Sequence, residues 1–313
     1  MRVLVFGGTG FVGHSLVPLL RQRSHEVTVL SRAPELPARL ATTGVRLLQG
    51  DLASLSAREL DADDVDAMIL LAAPRMFGKR LGMSRFRKLK AELTAIYTNA
   101  LELARRRGCP IIITAGTAFK TTGDQIADES RPIERFGATR VGEDIDPIVQ
   151  KAVQAGAPKL VWMLPGQIYG PGGMFMMMYR MAEKGRSAII GDGSNCIPRI
   201  HVDDCAAAYA AALDHIGDLA TGERFIVADD VPCTQQQFAE RLAELCHAPK
   251  PKSAPTFLLK LILGKLLVET ATMNCRVTNA KAKRVLGWSP RYPSFKEGLA
   301  ATVAAIERGE VTA

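Results

Sequence analysis

The chain has 313 residues, 47% hydrophobic and 23% charged, with a formal net charge of +8. This is ordinary globular composition, with no low-complexity tract or internal repeat. The six cysteines (109, 196, 205, 233, 246 and 275) form no Cys-x-x-Cys pair, and no histidines cluster beside them. That pattern argues against a disulfide framework and against a metal site, and it fits a reducing cytoplasm. Aromatics at 6% and the lack of a recognised motif argue against nucleic acid, and no signal peptide is read at the start.

In chain order, β-branched runs at Val3–Phe6, Val27–Leu30, Val45–Gln49, Ala67–Leu71, Ile111–Thr114 and Leu160–Leu164 predict strands. Helical patterns at 11–23, 34–42, 55–61, 84–107 and 137–155 fall between them. Such alternation predicts an α/β fold, a Rossmann doubly wound parallel sheet covered on both faces. After Pro165 the pattern becomes helix-rich: 174–184, 203–214, 234–245, 256–268, 278–286 and 294–308, with short strand-like runs at 188–190, 197–201 and 225–227. The expected organisation is a nucleotide-binding domain at 1–165 and a smaller α-rich substrate-binding part at 166–313, some elements of which return to the main sheet. Thr256–Val268 is the most apolar late stretch, but lysines at 260 and 265 interrupt it and it is too short to span a bilayer. It reads as an amphipathic helix, with contact to a membrane surface as the alternative; no membrane partner is expected.

Charge is uneven. Residues 75–107 hold ten Lys/Arg against two Glu, and residues 247–296 hold ten against one. These blocks are solvated helix faces or neighbours of an anionic ligand.

Gly7-Gly8-Thr9-Gly10-Phe11-Val12-Gly13 follows the first strand and opens a helix. Gly7 permits the tight turn, Gly10 lets a diphosphate approach, and Gly13 allows close helix packing. The amides at that helix start then bind the anion. At the next strand end an NAD site usually carries Asp or Glu; here the residues are Val29-Leu30-Ser31-Arg32. Without a carboxylate to repel it, a 2′-phosphate is met by Ser31 and Arg32, so NADP(H) is expected over NAD(H). Asp51 and Leu52, ending the third strand, are placed to meet the adenine.

The segments GGTGFVG at 7–13, GDL at 50–52, LLAAP at 70–74, PGQIYGPGG at 165–173, RIHVDDCAAAYAAAL at 199–213 and LGWSPRY at 286–292 follow one another in a family-typical order. In these the chain resembles the extended short-chain dehydrogenase/reductase family, which includes nucleotide-sugar epimerases and dehydratases. The resemblance implies an oxidoreductase or epimerase-like enzyme. It adds Thr9, Ala72 and Pro165 to the cofactor contacts and places the substrate against the second part, near Tyr169, Met174 and Arg199. It also implies catalysis by a Tyr-x-x-x-Lys pair on one helix face, aided by a Ser or Thr. The matching segment reads Phe136-Gly-Ala-Thr-Arg140. Phe136 has no proton to exchange. Arg140 keeps the charge and is expected to hold the nicotinamide ribose, but it is not a proton shuttle. The family's hydroxyl position falls at or beside Gly116, leaving Thr117 or Thr114 as substitutes.

Candidate proton donors are therefore Thr117, Lys120 and Tyr169, with Lys120 equally readable as a solvated loop lysine and Tyr169 as packing. Tyr292-Pro-Ser-Phe-Lys296 repeats the pair's spelling, but its proline disfavours a continuous helix. The methionines at 174 and 176–178 read as a soft wall of the cleft or as helix core. Arg199 and the basic loop at Arg75, Lys79 and Arg80 are placed to meet an anionic substrate group. A non-catalytic NADP(H)-binding sensor and a non-redox lyase, cyclase or isomerase are the competing functions. The two helical segments 84–107 and 137–155 match those through which the family often forms homodimers.

Overall fold

The β-branched runs of the first half become strands whose alternate residues enter two separate cores. The computed structural model describes residues 1–54, 65–74, 80–156 and 158–312; the helix expected at 55–61, and Arg75 and Lys79, lie outside them. Chain order begins β1 (Arg2–Phe6), α1 (Gly13–Gln22), β2 (Glu26–Ser31), α2 (Ala38–Ala41), β3 (Arg46–Gln49), β4 (Ala67–Leu70), α3 (Met83–Arg107) and β5 (Ile111–Thr114). A 3-10 segment, Gly137–Gly142, precedes α4 (Ile145–Gln154), β6 (Leu160–Pro165), β7 (Gln167–Tyr169), α5 (Phe175–Glu183), β8 (Ala188–Ile190) and β9 (Arg199–His201). The chain continues with α6 (Val202–Asp214), β10 (Glu223–Val227), α7 (Gln235–Leu245) and β11 (Lys252–Ala254). It closes with α8 (Thr256–Leu263), α9 (Lys265–Ala271), α10 (Ala280–Leu286) and α11 (Phe295–Glu307).

The main sheet runs β10-β6-β5-β4-β1-β2-β3 with every pairing parallel. Leu4, Phe6, Met68, Leu70, Ile111 and Ile113 face α3 and α4 on one side. Val3, Val5, Ile69, Val161 and Met163 face α1, α6 and α10 on the other. Period-two alternation with both faces buried is what a doubly wound sheet requires. The strand order reverses between β1 and β4, which opens a crevice at their C-terminal ends.

The second part is not separate from the first. β10 supplies the seventh strand, and α6 packs on α1 within the same core as β1. A third core of Tyr169, Phe175, Phe238, Phe295 and Leu299 holds α5, α7 and α11 together. Two short parallel pairs, β7 with β9 and β8 with β11, stand outside the main sheet.

Three expected helices change. The one at 34–42 shrinks to α2, because Pro37 keeps extended backbone immediately before it. The one at 137–155 splits into the 3-10 turn and α4. The one at 256–268 breaks at Gly264, whose φ is +97° and where an added Cβ would stand 2.7 Å from the Leu81 carbonyl oxygen. No helix of the described residues is long and apolar enough to cross a membrane.

Candidate active site

The crevice between β1 and β4 is shaped by missing side chains. Gly7 has φ +80°, and a Cβ there would lie 2.7 Å from the Ala72 amide nitrogen. Only glycine tolerates both conditions, so the β1 turn can nest against the loop that leaves β4. At Gly13 a Cβ would meet the Gly8 carbonyl oxygen at 2.2 Å, so this glycine serves the loop on itself rather than the strand. Gly8, which the spacing argument passed over, lies under Val29: a Cβ would come within 2.7 Å of it. The Gly-Gly doublet at 7–8 was the available signal.

The loop closes with a 2.9 Å bond from the Gly10 amide to the Gly7 carbonyl. The helix that follows begins at Val12 with no side-chain cap and no acidic residue in its first turn. The first amides of a helix have no i−4 partner, and here neither a capping side chain nor an acidic residue of the same turn competes for them, although Asp203 Oδ1 accepts from the Ser15 hydroxyl nearby at 2.8 Å. Such a cradle fits a diphosphate. The Phe11 ring sits on the 170–173 turn, so close that a Cβ on Gly173 would be 2.8 Å from it.

Ser31 is buried at the end of β2, with its Oγ 3.4 Å from Thr9 Oγ1 and accepting the Ala33 amide at 3.2 Å. Arg32 beside it is exposed. Asp51 is half-buried and accepts the Ala53 amide at 3.0 Å; Leu52 is buried, and its carbonyl accepts Asn99 Nδ2 at 2.7 Å. Pro165 ends β6, and its carbonyl takes the Thr117 amide at 3.1 Å and the Thr117 hydroxyl at 3.4 Å. Thr117 is half-buried between the ends of β5 and β6, whereas Lys120 is exposed. Thr114 is committed elsewhere. Its hydroxyl donates to the Leu70 carbonyl at 2.6 Å and lies 2.6 Å from Tyr209 Oη, while the Tyr97 hydroxyl donates to its carbonyl.

The segment that would carry an acid–base pair is not an α-helix. Phe136 is extended, with φ −145°, and Gly137 follows at φ +50°. A Cβ on Gly137 would stand 2.5 Å from Thr270 Oγ1 and 2.6 Å from the Leu266 carbonyl, so α9 lies directly on this turn. The Ala138 amide donates to Thr270 Oγ1 at 2.7 Å. Arg140 is exposed and donates to Glu143 at 2.5 Å, and that bond holds the Glu143 carboxyl below its usual range. Residues 136 and 140 thus lack the one-face, i to i+4 placement of a regular helix.

Two expected substrate-side residues are enclosed. Tyr169 is buried in the third core, edge-on to His201 and Phe238, and donates to Asp229 Oδ2 at 3.1 Å. Burial pushes its phenol far above the usual range, so it serves packing and Asp229 rather than a cleft. Arg199 is buried, donates to Gln167 Oε1 at 2.6 Å and stacks 3.5 Å over the Phe238 ring. The cavity beside it, lined by Cys196, Pro198, Asp229, Cys233 and Cys275, has a volume of about 10 Å³. That is room for about one water, not for an anionic substrate group. Met174 is half-buried ahead of α5, where Phe175 enters the core, Met178 packs against it and Met177 is exposed. Sequence reasoning also missed Asp229, whose burial depends on pairing across 60 residues and has no local signal.

The model of the NAD dependent epimerase/dehydratase family matches residues 3–228. The chain belongs to that family. Its glycine loop, crevice and strand order therefore sit in a family defined by a nicotinamide dinucleotide. Among its relatives, the Streptomyces 3-diazoavenalumate denitrifying reductase is 30% identical, over 96% of this chain and 99% of that protein. The 2-alkyl-3-oxoalkanoate reductase of Stenotrophomonas maltophilia is 27% identical over 85% of this chain and 82% of its own length. The crystal structure of the human epimerase family protein SDR39U1 with NADPH superposes with a TM-score of 0.80 at 21% identity, covering 97% of this chain and 99% of that one. At that identity the likeness shows the shared fold.

Proposed function

We propose that this member of the family is an NADP(H)-dependent reductase whose proton donor, where one is needed, is not at the family's tyrosine position. The observation that carries the reading is the glycine cradle at Gly7–Gly13, with Ser31 and Arg32 and no carboxylate at the end of β2. The amides at 11–13 hold the diphosphate, Ser31 and Arg32 meet the 2′-phosphate, and Asp51 and Leu52 border the adenine. The bound dinucleotide supplies hydride chemistry. Two relatives bear reductase names, and one superposed structure carries NADPH, which supports both the direction and the cofactor choice.

Phe136 cannot donate a proton, and Arg140, paired with Glu143, keeps its own. Thr117, half-buried between two strand ends, and Lys120 remain the side chains suited to deliver one. An electrophile that accepts hydride without simultaneous protonation needs neither. The lack of a proton-exchanging group at Phe136 also favours a second reading, a dinucleotide-binding sensor, which steady turnover of any carbonyl substrate would eliminate.

The test is calorimetric titration with NADPH and NADH. Tighter binding of NADPH is expected, and Arg32→Glu should cut NADPH affinity about tenfold or more, the scale of one charge-assisted hydrogen bond. Equal affinity for both dinucleotides in wild type refutes the preference, and uptake of neither refutes the function.

A further inference from the structure

We propose that α8 and the basic start of α3 form a docking surface for an anionic lipid bilayer. In α8 no residue is buried. Phe257, Leu258, Leu261 and Ile262 are 69%, 45%, 68% and 58% exposed. Four large apolar side chains within two turns of one helix make a continuous patch rather than scattered exceptions. The patch extends onto Met83, 57% exposed, because the end of α8 is tied to the start of α3: the Leu81 amide donates to the Leu263 carbonyl at 3.1 Å, and Arg80 Nε to the Leu261 carbonyl at 3.1 Å.

Charge selects the occupant. From His247 to Val268 the chain has four lysines and no carboxylate; from Arg80 to Ala91 it has five Lys/Arg and none. Lys250, Lys252, Lys260, Arg80, Arg87 and Lys88 are exposed around the apolar ridge. A helix with Phe and Leu on one face and cations at its border is the pattern that lies in a membrane interface, with anionic headgroups meeting the cations. A second copy of this chain fits less well. A twofold contact sets a patch against itself, so this one would press lysine and arginine against lysine and arginine. The Gly264 break gives α8 its own direction, while α9 stays fixed on the Gly137 turn. Through α9 the surface is joined to the Gly137 turn. The proposal does not depend on which dinucleotide binds.

The test is flotation of the full chain with vesicles of phosphatidylcholine alone and of an equal mixture with phosphatidylglycerol, in low and high salt. Binding to the mixed vesicles, weakened by salt, is expected. Phe257→Glu should reduce it at least tenfold, and Lys260→Gln about fivefold, the scale of one cation near an anionic surface. Both sites are exposed, and matched thermal melts establish that the fold is kept. Absence of binding, equal binding to neutral vesicles, or indifference to both substitutions overturns the proposal. A dimer in light scattering that Phe257→Glu converts to monomer overturns it in favour of self-association.

Discussion

Raising the pH from about 6 to about 8 should cost the folded protein about 2 kcal/mol through Asp229 alone. The carboxyl is buried; Oδ2 accepts from Tyr169 at 3.1 Å, and Oδ1 has no hydrogen-bond partner among the described residues. Burial, helped by the neighbouring Asp204 carboxylate, pushes its pKa up from 3.8 to about 8, against the opposing pull of the Tyr169 hydrogen bond and then of Arg199. Between those two values the folded chain keeps a proton that the unfolded chain has released. Stability therefore falls as pH rises, by at most about 1.4 kcal/mol per unit, starting above the unfolded value and levelling off past the folded one. His201, held down to about 4 by burial, acts in the opposite sense, weakening the fold as pH drops through 6.5, so part of its effect falls inside the same window. The buried thiols of Cys205 and Cys233 contribute only as unfolded cysteines ionise, above about pH 8. Urea unfolding of wild type and Asp229→Asn at fixed ionic strength isolates the carboxyl, since asparagine still accepts from Tyr169 and does not titrate. The stability difference between wild type and the variant should change by about 2 kcal/mol over the window, since the histidines common to both cancel. Parallel curves for the two proteins would refute the reasoning.

Gly7→Ala combines a left-handed φ of +80° with a Cβ 2.7 Å from the Ala72 nitrogen. It should cost about 2–4 kcal/mol in thermal unfolding and abolish dinucleotide uptake in calorimetry. Tyr169→Phe removes the donor to buried Asp229 and should cost about 1–3 kcal/mol; the pH–rate profile of any activity found should stay unchanged, because the hydroxyl is enclosed. Gly137→Ala should loosen α9, seen as faster amide exchange across 265–271, because its Cβ would be 2.5 Å from Thr270 Oγ1.

The sheet was legible because each strand is a short β-branched run and because both faces are buried, as at Val3–Phe6 and Ile111–Thr114. The glycine loop was legible because steric need for glycine is local. What escaped depends on remote contacts. Nothing near Gly264 in sequence announces Leu81, and nothing near Gly137 announces Thr270, so two helices were drawn too long. Tyr169 looked like a cleft residue because it adjoins a Gly/Pro turn; its burial is decided by Phe238, Asp229 and Gly298, all distant along the chain. At Phe136–Arg140 the expected helix was not formed, and the sequence did not announce this: it follows from the positive φ at Gly137.

The seventh strand has a practical consequence for anyone who would dissect this protein. A fragment stopped at Pro165 would leave β6 with one bare hydrogen-bonding edge where β10 belongs, and would strip α6 from the apolar side of α1. Unpaired edges and uncovered hydrophobic faces recruit other chains. The N-terminal half is therefore not autonomous: expressed by itself it should aggregate, and dinucleotide binding is to be measured on the intact polypeptide.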